Sequence, residues 1–139
     1  MKKIKVLAGG RFNILHPGHI YFLRKAKSLG DYLVVVVAND RTVRREGKDL
    51  IFPQAVRKKT VESLRFVDRA VIGHGTDILK TVEKIKPDII ALGYDQNLKE
   101  KELEKRLKER GFFCRIVRIQ KLKNYSTRNI MGKIKTRIR

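Results

Sequence analysis

Apolar runs alternate with amphipathic segments along the whole chain. The apolar runs are short and several are rich in β-branched residues, which favours strands over buried helices. The four consecutive valines of the second run are typical of a strand in a sheet that is covered on both faces. The pattern predicts strands at residues 3–8, 31–38, 69–72, 88–92 and 112–119.

The amphipathic segments between these strands predict helices. A turn at Gly9 and Gly10 precedes the first helix, and Pro53 occupies the first turn of the second. Thr76 is the predicted N-cap of the third helix, and Gly111 follows the end of the fourth. The predicted helices span residues 18–29, 53–66, 76–86 and 98–110, with a final basic helix capped by Ser126 or Thr127, and residues 39–52 form a charged loop.

Strands that alternate with helices define an α/β fold with a parallel sheet and right-handed crossovers. We therefore expect residues 1–139 to form a single Rossmann-like domain, with a five-stranded parallel sheet in the order 3-2-1-4-5 and helices on both faces. Ligands bind such sheets at the carboxyl ends of the strands, where the strand order reverses. The crevice then lies between the first and fourth strands and is lined by residues 9–12 and 93–96.

The composition limits the classes of protein to which the chain can belong. Of its 139 residues, 42% are hydrophobic and 35% are charged, which is typical of an ordered globular protein. The longest apolar run, residues 32–38, is far shorter than the roughly 18 residues of a membrane span, so no membrane association is predicted. A single cysteine, Cys114, excludes an internal disulfide, and the N-terminus lacks the pattern of a signal peptide. We expect a cytoplasmic protein with this thiol in its core.

The net charge of +20, from 34 Lys and Arg against 14 Asp and Glu, is the strongest compositional feature. Such an excess of cations fits nucleic-acid binding, a cation-rich surface of the thermophilic type, or a pocket for a polyanionic small molecule. The cations are spread along the chain, most densely at residues 133–139, and aromatic residues are not interleaved with them as in single-strand binders. Nucleic-acid binding is therefore an alternative and not the favoured interpretation.

The candidate chemistry concentrates in the sequence HPGH, residues 16–19, which holds two of the three histidines. It lies where the first predicted strand passes into a helix, and a helix N-terminus attracts phosphate. His16 and His19 can direct ring N–H groups at one phosphate cluster. Gly18 leaves space for that cluster, and Pro17 fixes the turn.

Three other interpretations of the two histidines stay open. A zinc pair would need further ligands, and only His74 and Cys114 remain to supply them. The two rings could instead be structural caps of the helix, or a general acid/base pair. Phosphate binding is favoured, because a reacting nucleotide phosphorus needs charge stabilisation more than proton transfer.

Three motifs, found in order along the chain, resemble those of a known superfamily. The chain has GRFNILHPGH at residues 10–19, RKKTV at 57–61 followed by VD at 67–68, and YSTRNI at 125–130. The corresponding patterns are GTFDxLHxGH, RxxxV followed by VD, and I-S-T/S-x-x-I. By these motifs the chain is identified as a member of the HxGH nucleotidyltransferase superfamily, which includes the cytidylyltransferases, and the resemblance covers essentially the whole sequence.

Within this superfamily, HPGH together with LGYDQ at residues 92–96 is most similar to the archaeal FAD synthases. The resemblance implies transfer of AMP from ATP to the phosphate of FMN, with release of pyrophosphate and with a divalent ion, Mg²⁺ or Mn²⁺, accompanying the ATP. A cytidylyltransferase that uses CTP and glycerol 3-phosphate, or a similar phosphorylated alcohol, is the alternative. Those enzymes usually carry a tryptophan after the fourth strand, and this chain has none. No protein metal site is predicted, and a homodimer is expected as the commonest soluble oligomer.

Two residues depart from the superfamily pattern. Arg11 stands where most cytidylyltransferases have Thr, and Asn13 where they have Asp. The GRF opening is instead similar to that of nicotinamide mononucleotide adenylyltransferases, whose Arg lies near the nucleotide phosphates. Both changes make the turn more positive, which suits a polyphosphate, but they leave the acceptor open.

The resemblance also implies roles for individual residues. The residues expected to hold the triphosphate and its transition-state charge are His16, His19, Ser126 and Thr127. Those expected to contact the nucleotide are the two histidines with Gly9, Gly10, Arg11, Phe12, Pro17, Gly18, Asp95 and Tyr125. Lys48 and Arg57 are further candidates for the phosphates or the acceptor, with solvated charge as the alternative. His74 is either an exposed loop residue or an acceptor contact, and Asp40 either contacts the site or caps a turn.

Overall fold

The computed structural model describes residues 2–75, 77–123 and 127–137, in which strands and helices alternate. The strands are β1 (Lys5–Gly10), β2 (Tyr32–Val37), β3 (Arg69–Ile72), β4 (Ile89–Leu92) and β5 (Arg115–Arg118). The helices are α1 (Pro17–Ser28), α2 (Asp40–Arg45), α3 (Gln54–Glu62), α4 (Ile78–Ile85), α5 (Glu100–Glu109) and α6 (Thr127–Arg137).

The strands form one parallel sheet in the order β3-β2-β1-β4-β5, which confirms the predicted fold class and topology. β1 pairs with β2 on one side and with β4 on the other, so the strand order reverses between β1 and β4. The carboxyl ends of these two strands are Gly10 and Leu92. The reversal of strand order, at which the sequence predicts the crevice, is therefore present between the carboxyl ends of β1 and β4.

Helices cover both faces of the sheet, as the valine run of β2 predicts. Val35 and Val37 pack with Leu23 and Ala26 of α1 and with Val61 of α3. On the opposite face, the core joins β2 to α4 and α5 through Val34, Leu79, Val82, Leu103 and Leu107. A strand buried on both faces has no polar side to present, which is why β-branched residues fill it without alternation. In the described part of the chain, no helix is long and apolar enough to cross a membrane.

The predicted turn at Gly9 and Gly10 is wrong. Both residues continue β1 and pair with Val36 and Val37. A Cβ atom at Gly9 would lie 3.3 Å from the carbonyl oxygen of Val36, a tight contact that glycine avoids. Here glycine serves close packing inside a strand and not a turn.

The predicted loop at residues 39–52 is also partly wrong, because it contains α2. The side chain of Asn39 caps this helix by accepting a hydrogen bond from the amide of Thr42, at 2.8 Å. Thr42 and Val43 are its buried residues. A helix of six residues with so small an apolar face leaves almost no periodic signal in the sequence.

Other element ends differ from the prediction. α3 ends at Glu62, four residues early, and Pro53 is its N-cap residue and not part of its first turn. β5 begins at Arg115, and Phe113, placed in the predicted strand, is 77% exposed. Cys114 is buried, as predicted.

Three cap predictions can be compared with the helix ends. Gly111 follows the C-cap of α5 with a φ of 84°, as predicted for a residue after a helix end. α4 is capped by Asp77, whose side chain accepts from the amide of Leu79 at 3.0 Å, and the predicted cap Thr76 lies outside the described residues. Thr127 is the first residue of α6, while Ser126 lies outside the described residues.

Candidate active site at the β1–β4 crevice

The HPGH sequence forms the N-terminus of α1 through a reciprocal cap made by its own histidines. His16 is the N-cap residue, and its Nδ1 accepts a hydrogen bond from the amide of Gly18 at 3.0 Å. His19 reaches back, so that its Nδ1 accepts from the amide of His16 at 3.3 Å. Pro17 is the first helical residue, where its missing N–H costs nothing. The sequence placed both histidines correctly relative to the helix start.

This cap fixes which nitrogen of each ring carries the proton. A neutral imidazole has one N–H donor and one acceptor nitrogen. Because Nδ1 accepts an amide hydrogen bond in both His16 and His19, the proton of each neutral ring lies on Nε2. The rings stack with centroids 3.8 Å apart and an angle of 29° between their planes. The cap therefore uses Nδ1 of each ring, and Nε2–H takes no part in it.

Both histidines are held in the neutral form. Burial lowers the pKa of His16. The pKa of His19 falls to about 4, first through burial and then through the neighbouring His16, against a hydrogen bond with the main chain of Ile14. Without an anionic ligand, a proton on one of these stacked rings disfavours a proton on the other.

Acid is expected to destabilise the fold through His19. Its pKa is lowered from 6.5 to about 4 on folding, so between these values the unfolded chain binds more protons than the folded one. The free energy of unfolding should therefore rise with pH in this window, be fully gained above it, and be lost as the pH falls towards 4. Urea unfolding of the wild type and of His19→Asn across this range tests it. An equal pH dependence in the two proteins would contradict the assignment.

The residue that turns the chain out of β1 is Phe12. It has a φ of 52°, a left-handed conformation that is unusual for a bulky residue. Its ring is buried and meets the ring of His19 edge-on, with centroids 5.2 Å apart. A Cβ atom at Gly10 would lie 2.9 Å from Cζ of Phe12, so only glycine leaves room for this ring. Strain of this kind at a loop is typical of functional sites.

The two residues that depart from the superfamily pattern contact the same neighbouring loop. Arg11 forms an ion pair with Glu46, with Nη1 and Oε2 2.7 Å apart. The side chain of Asn13 donates to the carbonyl oxygen of Asp49 at 2.5 Å and accepts from the amide of Ile51 at 3.1 Å. Both contacts hold the segment after α2 against the turn that follows β1. Lys48 lies in this segment and is exposed.

Arg57 has neither of the roles considered for it from the sequence. Its side chain is fully buried, so it is not a solvated charge. Its guanidinium group donates to the carbonyl oxygens of Phe52, Arg11 and Ala38 and forms an ion pair with Asp40 at 2.8 Å. With these acceptors, Arg57 joins the ends of β1 and β2 to α3 and is not directed at a phosphate.

Asp40 caps a helix, though not the one that it begins. Its Oδ1 accepts from the amide of Gln54, the first residue of α3, and the side chain of Gln54 accepts in return from the amide of Asp40. Both distances are 2.8 Å. This pair and Arg57 join the start of α2 to the start of α3. Gln54 carried no signal in the sequence, since an amide side chain is common at exposed helix positions.

The second wall of the crevice is the loop after β4, which starts with Gly93. Asp95 and Tyr94 are exposed in this loop. A Cβ atom at Gly93 would lie 3.3 Å from Oδ1 of Asp95 and 3.8 Å from the ring of Phe22 in α1. The loop that carries Asp95 therefore packs beside the helix that HPGH begins, as the sequence predicts.

His74 lies in a separate cavity of about 730 Å³ at the carboxyl ends of β2 and β3. The lining includes Asn39 and three exposed cations, Arg41, Arg45 and Lys80. None of the three cations forms an ion pair with a residue in the described ranges. The cavity lies on the same edge of the sheet as the crevice, and its lining also includes the carboxylate of Asp77, which caps α4.

Part of the predicted site falls at residues 125–127, before and at the start of α6. Tyr125 and Ser126 lie outside the described residues, and nothing is described for the side chain of Thr127. Among the described residues, no group of three or more His, Cys, Asp or Glu side chains is arranged to hold a metal ion. The His16–His19 pair thus has no third protein ligand in this part of the chain.

The fold and this site define a class of protein. The chain matches the cytidylyltransferase-like family over residues 7–133, and it belongs to that family. This confirms the membership that the three motifs predict.

Within this family, the chain is similar in sequence to FAD synthases. The chain is 51% identical to the FAD synthase of Picrophilus torridus over 118 residues, which cover 85% of each protein. It is 50% identical to the FAD synthase of Aciduliprofundum boonei, over 97% of this chain and 93% of the relative. Among solved structures, a lipopolysaccharide core biosynthesis protein from Thermoplasma volcanium shares 50% identity with a TM-score of 0.85, covering 87% of this chain and 99% of that one.

Proposed function

We propose that this protein is an FAD synthase, an FMN adenylyltransferase that transfers AMP from ATP to the phosphate of FMN and releases pyrophosphate. The observation that carries the proposal is the identity of about 50% with FAD synthases over most of the chain. The site geometry supports it, because the helix N-terminus and two imidazole donors face the sheet edge where such folds bind nucleotides.

The reaction is an in-line displacement at the α-phosphorus of ATP. An oxygen of the FMN phosphate forms a bond to this phosphorus while the bond to the bridging oxygen breaks, and the electron pair leaves with pyrophosphate. Because attacker and leaving group are both anionic, positioning and charge stabilisation dominate. We assign the Nε2–H groups of His16 and His19 to the triphosphate oxygens, and in His19 this donor then leaves the main chain of Ile14. A bound triphosphate raises the pKa of both rings, which strengthens these hydrogen bonds as charge develops.

The remaining contacts to the nucleotide follow from the position of each residue. Arg11, once released from Glu46, supplies positive charge at the end of β1, and Gly9, Gly10 and Phe12 offer main-chain contacts there. We assign Asp95 and Tyr125 to the nucleoside, and Ser126 and Thr127 to the β- and γ-phosphates. A divalent ion, Mg²⁺ or Mn²⁺, would arrive with ATP and be held by the phosphates.

The acceptor must bring its own phosphate to the same sheet edge. Lys48 and the cations of the His74 cavity, Arg41, Arg45 and Lys80, supply positive charge there, and none of them forms an ion pair with a described residue. This arrangement suits a phosphate-bearing acceptor such as FMN. Part of the +20 net charge of the chain would then serve to bind phosphate groups of the substrates, and no nucleic acid is needed to account for it.

The experiment that tests the proposal combines purified protein with ATP, FMN and Mg²⁺ or Mn²⁺. We expect FAD and pyrophosphate to form together, with FAD followed by chromatography and pyrophosphate by a coupled assay. Matched reactions replace ATP with CTP and FMN with glycerol 3-phosphate. Pyrophosphate release only with CTP and glycerol 3-phosphate would establish the alternative cytidylyltransferase activity instead. Tight, salt-dependent RNA or DNA binding with no nucleotidyl transfer would favour the non-enzymatic alternative.

We propose that the whole chain acts as a single catalytic domain, as a homodimer in the cytoplasm. Size-exclusion chromatography with light scattering tests the homodimer, which should elute with twice the mass of one chain.

A further inference from the structure

The side chain of Arg118 joins the last strand to the loop that follows β4. Its Nη1 donates to the carbonyl oxygens of Gly93 and Gln96, at 2.8 and 2.7 Å. Its Nη2 donates to the carbonyl oxygen of Leu98 and to the carboxylate of Glu100, which also accepts from Nε at 3.0 Å. One guanidinium group thus binds three main-chain carbonyls and the first residue of α5.

These bonds fix the orientation of the loop. In a trans peptide the C=O and N–H groups point in opposite directions. With the carbonyls of Gly93 and Gln96 turned towards Arg118, the amides of Tyr94 and Asn97 face away from it. Neither amide donates to an acceptor within the described ranges. The loop therefore keeps two main-chain donors available beside the carboxylate of Asp95.

Two hydrogen bonds within the loop also join its residues Gly93 and Gln96. The side-chain oxygen of Gln96 accepts from the amide of Gly93 at 2.7 Å, and the amide of Gln96 points back to the carbonyl oxygen of Gly93 at 3.3 Å. Its packing against Phe22 places this closed loop over α1, three residues along the helix from His19. A displacement of the loop would therefore move the wall of the crevice and leave the HPGH cap intact.

We propose that Arg118 is a positioning residue for nucleotide binding, which holds the loop of residues 93–98 so that its amides and Asp95 meet the nucleoside of ATP. The inference rests on the proposed function, because it takes ATP as the ligand of this crevice. Arg118 acts through the loop and does not itself contact the nucleotide. The hydrogen bond from Arg118 also lowers the pKa of Glu100, which keeps their ion pair intact in mild acid.

The test compares two variants of Arg118 with a matched control. Arg118→Met removes every donor, and Arg118→Lys keeps one charged donor but not the fork that spans several carbonyls. Arg115→Met removes the same charge from an exposed position on the same strand, so it reports the general electrostatic loss. Dissociation constants for ATP and for FMN are measured separately by calorimetry, with thermal unfolding to verify the fold.

We expect Arg118→Met to weaken ATP binding by about tenfold or more, because it removes the hydrogen bonds that hold the loop. The ATP affinity of Arg118→Lys should lie between those of the wild type and Arg118→Met. FMN binding should stay within a factor of about two, and Arg115→Met should resemble the wild type. Unchanged ATP affinity, or an equal loss for ATP and FMN, would overturn the proposal.

A fourth variant covers the case in which Arg118→Met does not fold. Glu100→Gln leaves Arg118 in place but removes the charge that orients its Nε and Nη2 donors. It should shift ATP affinity in the same direction by a smaller factor, and no shift would count against the proposal. Because binding is measured directly, a wild type that binds ATP but forms no FAD would refute the proposed function and still allow this test.

Discussion

Replacing His19 with Asn is expected to lower the turnover number of FAD formation by about 100-fold or more. The Asn side chain can still accept the hydrogen bond from the amide of His16 that Nδ1 now accepts, so the cap of α1 is kept. What it lacks is the Nε2–H donor that we assign to the triphosphate. The measurement is the rate of FAD formation at saturating ATP and FMN, with the melting temperature as a check on folding.

Two companion variants sharpen this result. His19→Gln extends an amide towards the position of Nε2, so its turnover should exceed that of His19→Asn. Lys25→Ala, at an exposed position of the same helix, should leave turnover unchanged. If His19→Asn retained turnover within a few-fold of the wild type, the role of His19 would be only that of a cap.

Arg57→Met is expected to reduce the free energy of unfolding by about 3–5 kcal/mol, the cost of removing one partner from a buried ion pair. The variant leaves the carbonyl oxygens of Arg11, Ala38 and Phe52 without the donor that now satisfies them, and Asp40 without its cation. Buried acceptors without partners are the physical cause of the loss. Urea unfolding followed by circular dichroism measures it.

Lys58→Met is the matched control for this prediction. Lys58 is the next residue of α3, and it forms an ion pair with Glu62 at the surface, where such pairs contribute little. Its replacement should change the free energy of unfolding by no more than about 0.5 kcal/mol. A similar small effect for Arg57→Met would mean that water replaces the guanidinium group at these carbonyls.

Much of the fold could be predicted because the relevant signals are local. The valines of β2 indicate a strand buried on both faces, and the prediction for β3 matches its observed bounds. α2 was missed because its buried residues are Thr42 and Val43 alone, and only one of them is apolar. The capping side chain of Asn39 was the one available signal, and a capping residue without a periodic segment behind it does not define a helix.

The sequence predicted the position of some site residues and missed the contacts of others. His16 and His19 were placed correctly, since a turn between a strand and a helix is set by neighbouring residues. Arg57 was misjudged, because burial of an arginine depends on acceptors that come from β1, β2 and the segment before α3. Arg118 gave no signal, since its acceptors lie 18 to 25 residues earlier in the chain.

The sequence by itself determined the alternation of strands and helices, the parallel sheet and the position of HPGH at its reversal point. Periodicity, capping residues and glycines act over a few residues, so they can be read along the chain. Only the tertiary structure decided that the two histidines cap α1 through Nδ1, so that Nε2 takes no part in the cap. Only it decided that Arg57 and Arg118 bind main-chain carbonyls. The orientation of a ring and the burial of a charge depend on groups that folding brings together from distant parts of the chain.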